Sequence, residues 1–273
     1  MQSTEDTEKS EGSGLDTTRG GVAANPLYQM RRPESPSEDV KTFLWAYRHG
    51  AFPMAELPER LVRGEPIPVA KKIHWYQPDP RAILPLEDGG LRVPRTVQRM
   101  ARKRPFVLTA DRAFERVIRG CAEPRPTRGG AWLDESLIRV YTMLHREGHA
   151  HSIEAWKTGG GEELVGGIYG VSIGGAFFAE SMFSDFERGG SGASSVCLIA
   201  LWNHLRVCGY TLLDVQLANE HTMRFGVVEI LVARYLEALG KAVEAPSAWR
   251  LLPLGFGLPE FPASCPNPRR NSP

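Results

Sequence analysis

The chain has 273 residues with 33 Lys and Arg against 32 Asp and Glu, and the resulting net charge of +1 excludes bulk attraction to nucleic acid or to an anionic membrane. A composition of 42% hydrophobic and 24% charged residues suits a globular protein of one large domain or two modest ones, and the longest apolar run, Val196 to Trp202, is far too short to span a membrane. Cys121, Cys197, Cys208 and Cys265 are scattered without metal-binding spacing, and the polar N-terminus has no signal-peptide core, which predicts a cytoplasmic protein with reduced thiols.

Charge is unevenly spread along the chain. Residues 1–40 hold eight acids and four bases, with no Trp or Phe, and read as a disordered acidic leader. Phe43 to Pro53 (FLWAYRHGAFP) predicts a helical turn closing at Gly50, with Phe43, Trp45, Tyr47 and Phe52 as an aromatic group. Lys71 to Arg104 carries nine bases, Lys71, Lys72 and Arg81 among them, against three acids. Within it, Pro94 opens a helix whose Arg95, Arg99 and Arg102 share one face. Like charges at this spacing repel one another in isolation and are stabilised opposite a polyanion, and the same stripe also fits a solvated surface helix.

Asp111 to Cys121 and Asp134 to Glu147 predict two amphipathic helices, each behind an Asp cap. His151–Trp156, Glu163–Ile173 and Ala176–Phe183 then predict an antiparallel meander, its last two strands joined by Gly174-Gly175. A glycine-rich loop, Gly189 to Ser195, enters an almost wholly apolar helix, Val196 to Cys208. The loop lacks the Gly-Lys-Ser/Thr of a triphosphate loop and the surroundings of a dinucleotide site, which leaves a generic anion or ester-oxygen site open. Leu212–Leu217 predicts a strand and Val227–Leu239 a final helix. Seven prolines from Pro246 onward predict an extended tail, 246–273. The fold class is α+β.

Polar residues in apolar strands carry the chemistry. Strict alternation in Leu212-Leu-Asp-Val-Gln-Leu217 puts Asp214 and Gln216 on one face, and Glu180 interrupts Ala176–Phe183 in the same way. An unpaired buried carboxylate costs several kcal/mol, so each needs hydrogen bonds or a catalytic task. His149 and His151 flank the first meander strand and read as core or edge residues, with no metal site and no cofactor.

The segments Trp75-Tyr-Gln-Pro-Asp-Pro-Arg-Ala-Ile-Leu84, Gly148-His-Ala-His-Ser-Ile-Glu-Ala-Trp156, Leu164–Val171, Ala179-Glu-Ser-Met-Phe-Ser184 and Leu213-Asp-Val-Gln-Leu-Ala-Asn-Glu-His221 follow one another in the order that resembles the leucyl/phenylalanyl-tRNA–protein transferase family. The resemblance covers about residues 41–240. It implies a small N-terminal domain, 41–105, bearing a basic tRNA-facing segment, and a GNAT-like acyltransferase domain, 106–245. It further implies transfer of Leu or Phe, with Met as a further substrate, from aminoacyl-tRNA to the N-terminal Arg or Lys of acceptor proteins, marking them for N-degron degradation. Ester aminolysis of this kind uses no metal. Carried over to this chain, Asp214, Gln216 and Glu180 would be catalytic. Ile168, Phe177, Met182 and Leu201 would line the side-chain pocket, and Tyr47, Trp132 and Tyr141 would meet the 3′ adenosine. Arg95, Arg99, Arg102, Lys71 and Lys72 would hold the tRNA. The enzyme would be a monomer without a membrane partner. Met54 stands where the family has Trp, and Ser195 where it has Lys. Two rival readings are a tRNA-binding paralogue without chemistry and a GNAT-like acyltransferase using acyl-CoA.

Overall fold

A computed structural model describes residues 36–56, 61–62, 65–66, 72–123, 133–159, 163–246 and 249–250. Helix α1 (Pro36–Arg48) ends at Gly50, whose φ of +81° suits the chain reversal, and leads into β1 (Phe52–Glu56). Residues 36–40, expected in the leader, are therefore helical, because Val40 packs with Phe43 in the core. Residues 1–35 lie outside the described residues. The short pair β2 (Leu61–Val62) and β3 (Glu65–Pro66) follows, then β4 (Lys72–Tyr76), antiparallel to β1.

The rest of the chain runs β5 (Arg81–Ile83), α2 (Arg95–Arg102), β6 (Phe106–Ala110), α3 (Phe114–Ala122), α4 (Glu135–Arg146), β7 (Ala150–Lys157), β8 (Leu164–Ile173) and β9 (Ala176–Ser184). It continues through α5 (Ala193–Val207), β10 (Leu212–Gln216), α6 (Glu220–Met223), β11 (Val228–Ile230) and α7 (Val232–Val243). Seven strands form one mixed sheet in the order β11-β5-β10-β9-β8-β7-β6. Strands β6 to β9 are the antiparallel meander, with Gly174 at φ +55° in the last hairpin, and β10 pairs with β9 in parallel.

Both faces of the sheet are apolar and covered, which explains why the strands read as near-continuous hydrophobic runs. Neighbouring residues divide between them. Tyr169, Phe178 and Leu212 pack under α1, α3, α4 and α7, where Phe43, Tyr47, Phe114, Leu137, Tyr141 and Tyr235 meet them. Ile168, Phe177 and Leu213 pack on the other face against α5, through Val196, Ile199 and Leu201. α5 comes so close to β8 that a Cβ on Gly166 would lie 2.4 Å from that of Ala193. β5, from the N-terminal part of the chain, lies inside the sheet between β10 and β11. No helix among the described residues is long and apolar enough to cross a membrane.

Three local expectations change. Asp134 caps α4, accepting from the Ser136 and Leu137 amides, but Asp111 does not cap α3. It sits at φ +57° and accepts from the Ser152 amide at 2.8 Å and His151 Nδ1 at 2.7 Å, while the buried Glu154 of β7 accepts the Arg112 and Ala113 amides at 3.4 Å. The helix expected over Val227–Leu239 is split, since Val228–Ile230 pairs with β5 and α7 starts only at Val232, whose amide is taken by Asp79 Oδ1 at 3.0 Å. Trp45 leaves the aromatic group and is 59% exposed, whereas Phe43, Tyr47 and Phe52 are buried.

Candidate active site

β9 and β10 pair only from Leu212/Ala176 to Asp214/Phe178 and then part. Beyond the last pair lies a cavity of about 270 Å³ lined by apolar Ile168, Ala179, Met182, Leu198 and Val215, together with polar Glu180, Ser181, Gln216, Asn219 and Thr222. An apolar recess with a few converging polar groups is the usual form of a small-ligand site.

Irregularities in two strands deliver its polar groups. Opposite Glu180 the β8–β9 register slips, Tyr169 facing Ser181 and the next residue, Gly170, facing Ala179, so that Glu180 is an extra residue in its strand. Such a bulge re-aims a side chain that a regular strand would bury. In β10 the register slips between Asp214 and Gln216, and Gln216 adopts φ +60°. Strict alternation is thereby lost, and the two side chains do not share a surface as the sequence predicts. Gln216 lines the cavity, its Nε2 donating to Glu180 Oε1 at 3.3 Å.

Asp214 is fully buried and outside the cavity lining. Arg81 donates to it from Nε at 3.0 Å and from Nη2 at 2.7 Å, the Tyr235 hydroxyl at 2.6 Å, and the Gln216 amide at 2.8 Å. Asp214 therefore has no oxygen lone pair turned to a substrate. Its contact with the cavity runs through Gln216.

Glu180 stands at the head of a hydroxyl chain. Tyr141 donates to Glu180 Oε2 at 2.8 Å, and the Tyr47 hydroxyl meets that of Tyr141 at 2.8 Å. Burial lifts both tyrosine pKa values well above the usual range, so each keeps its proton and can donate. Burial also pushes Glu180 up to about 7, against the hydrogen bonds from Tyr141 and Tyr47, with the charge of Asp214 adding to the rise. A half-buried carboxyl poised near neutrality can hold or release a proton at working pH.

Of the residues expected at the site, Glu180, Gln216, Ile168 and Met182 meet at the cavity. Phe177 and Leu201 do not: each is 1% exposed in the core between the sheet and α5, where Phe177 stacks on Trp249. Tyr47 and Tyr141, expected to stack on adenosine, are wholly buried and present no ring face to a ligand. Trp132 and Lys71 lie outside the described residues, and Lys72 opens β4. Arg95, Arg99 and Arg102 are all exposed on α2, which packs inward through Val97, Met100 and Ala101. Met100 rests against Gly192 at the start of α5. Leu198, on the cavity wall, is six residues further along that helix, about 9 Å at 1.5 Å per residue. α2 thus packs at the N-terminal end of the helix that supplies Leu198 to the cavity wall. Arg81 does not belong to the basic face of α2, although it counts among the nine bases of Lys71–Arg104.

One sequence reading is displaced here. The first α5 amides are largely occupied, Ala193 by the Gly190 carbonyl and Ser194 by the Ser184 hydroxyl, both at 2.9 Å, so the glycine loop is not an open anion cradle. Ser195 is buried and offers nothing to a surface ligand. Ligand-type atoms of Asp111, His145 and His151 lie within 4.8 Å of one another. His145 Nδ1 donates to the Ala150 carbonyl at 2.8 Å and His151 to Asp111, so these groups are joined by hydrogen bonds that tie β7 to its neighbours.

Sequence reading missed Arg81, Tyr235, Ala179, Ser181, Leu198, Val215, Asn219 and Thr222. Arg81 carried a signal, being a charge followed by Ala82-Ile83-Leu84, the same anomaly that marked Glu180 and Asp214.

The family model for leucyl/phenylalanyl-tRNA protein transferase matches residues 83–240. A leucyl/phenylalanyl-tRNA–protein transferase of Salinibacter ruber is 40% identical over 232 residues, 83% of this chain and 92% of that protein. One from Anaeromyxobacter sp. (strain K) is 42% identical over 219 residues, covering 78% and 84%. With an apolar cavity headed by a carboxyl and a carboxamide, and with relatives of this kind, the chain falls in the class of aminoacyltransferases. Within that class, at these identities and coverages, it belongs to the leucyl/phenylalanyl-tRNA–protein transferase family.

Proposed function

We propose that the protein transfers leucine or phenylalanine from aminoacyl-tRNA to the N-terminal Arg or Lys of acceptor proteins, marking them for N-degron degradation, as a monomer in the cytoplasm. The observation that carries this reading is the placing of Glu180 and Gln216 at the head of an apolar cavity between parting parallel strands. The parting pair and the meander support a GNAT-like catalytic part over 106–245, with 41–105 as the tRNA-facing part.

The cavity takes the transferred side chain, and Ala179, Met182, Leu198 and Ile168 discriminate by shape. The ester carbonyl then lies at the polar rim. The acceptor's α-amine attacks that carbon, the C–N bond forms, and the bond to the ribose oxygen breaks. The proton leaves nitrogen for Glu180 and returns to the departing ribose oxygen, a transfer suited to a carboxyl near neutrality. Of the two Gln216 amide hydrogens, one meets Glu180 and the other is available to the developing oxyanion. Asp214 acts from behind by fixing Gln216. Arg95, Arg99 and Arg102, with Lys71 and Lys72, hold the acceptor stem without reading its bases, and Trp132 meets the terminal adenosine.

Leucyl- and phenylalanyl-tRNA with peptides beginning in Arg, Lys or Ala test this directly. Wild type should modify the first two peptides only, and Gln216→Ala and Glu180→Ala should each lower kcat/KM by about 10²-fold with unchanged tRNA affinity. Transfer by both variants at the wild-type rate would remove these residues from the mechanism.

A further inference from the structure

Gln216 sits in an unusual piece of backbone. Its φ is +60°, and the Leu217 amide donates to the Val215 carbonyl at 2.7 Å, closing a three-residue γ-turn centred on Gln216. This is the rare form of that turn, and a non-glycine residue in it is strained and persists only where its surroundings hold it. The hold is visible: the Gln216 amide donates to Asp214 Oδ1 at 2.8 Å.

Asp214 in turn is clamped by Arg81. The guanidinium approaches both carboxylate oxygens, at 3.0 and 2.7 Å, and its remaining nitrogen, Nη1, donates to the Gly50 carbonyl at 3.0 Å. Its Cζ lies 4.9 Å from the Phe52 ring centre and 4.7 Å from that of Tyr235, whose hydroxyl donates to Asp214 Oδ2. Arg81 and Asp214 are both 0% exposed. A buried ion pair is weak as a stabiliser, since apolar residues of similar volume often serve as well. What it supplies is fixed direction, because a guanidinium fork sets the orientation of a carboxylate in a way that an ammonium does not.

We propose that Arg81 is a positioning residue for the transfer reaction. Through Asp214 it holds the strained turn that aims the Gln216 side chain at Glu180 and the cavity, and through Gly50 it ties that aim to the end of α1. The proposal rests on the role of Gln216 given above. Arg81→Lys keeps the charge and loses the fork. It should fold and bind tRNA within twofold of wild type, while kcat falls at least 30-fold with KM for aminoacyl-tRNA within threefold. Adding Gln216→Ala to it should cost less than threefold more, because the side chain removed is already misdirected. Hydrogen exchange of the Gln216 amide should quicken at least tenfold.

A kcat within threefold of wild type, losses that multiply in the double variant, or unchanged exchange would each overturn the proposal. Should Arg81→Lys fail to fold, Tyr235→Phe decides: it keeps the ring over the guanidinium and removes one bond to Asp214, so kcat should drop three- to tenfold with faster exchange, and wild-type values of both would overturn it. If Gln216→Ala alone transfers normally, the role of Gln216 falls, and amide exchange still settles whether Arg81 holds the turn.

Discussion

Glu180 is a side chain whose burial costs the fold stability. Its carboxyl is raised from the ordinary 4.5 to about 7, chiefly by burial, so the folded chain binds a proton between those values that the unfolded chain has released. The stability that comes with neutral Glu180 is complete below about 4.5 and is lost as pH rises through about 7. Glu180→Gln should accordingly gain roughly 3 kcal/mol on wild type between pH 4.5 and pH 8, at 1.36 kcal/mol per unit. Denaturant titrations of both proteins across that range measure it, and parallel stability curves would mean that Glu180 is solvated. Tyr141 and Tyr47 temper the penalty without abolishing it, since hydroxyl donors favour the anion that burial disfavours.

Among the elements, α2 gives the most direct test of tRNA binding. Its three arginines are exposed and turned away from Val97, Met100 and Ala101, so replacing them leaves the packing intact. Arg95→Ala with Arg99→Ala should weaken tRNA binding and flatten the slope of log K against log salt by about 1.5–2, because each phosphate that is no longer neutralised keeps its counterion. An unchanged slope would make α2 an ordinary solvated helix. The helix was legible because a basic stripe at helical spacing needs no tertiary information. The meander and α5 were legible for the same reason, through period and glycine punctuation.

β10 was not legible in this way. Alternation put Asp214 and Gln216 on one surface, but the slip between them depends on Arg81, 133 residues away in sequence from Asp214, and no local pattern records such a partner. Glu180 was found as an anomaly, while the bulge that turns it to the cavity was not. The family resemblance puts Phe177 and Leu201 at the pocket, yet apolar residues near a site look in sequence like apolar residues of a core, and only the parting of the strands separates the two.

At the scale of the molecule, the site is drawn from the whole length of the chain. Tyr47 comes from α1, Arg81 from β5, Tyr141 from α4, Glu180 from β9, Gln216 from β10 and Tyr235 from α7. The sheet and its two covered faces bring them together, and Phe43, Tyr47 and Trp75 share a core with α4 and α7. The Arg81–Asp214 pair at this convergence bears on how such enzymes can be engineered. A search for heat resistance that scores only folding would replace Arg81, Asp214 and Tyr235 with Met, Leu and Phe, which fill similar space without desolvated charge. That variant should melt at or above the wild-type temperature and transfer no amino acid; a lower melting temperature, or retained transfer, would show the judgement wrong. Selection on activity therefore keeps a cluster that selection on thermostability would discard.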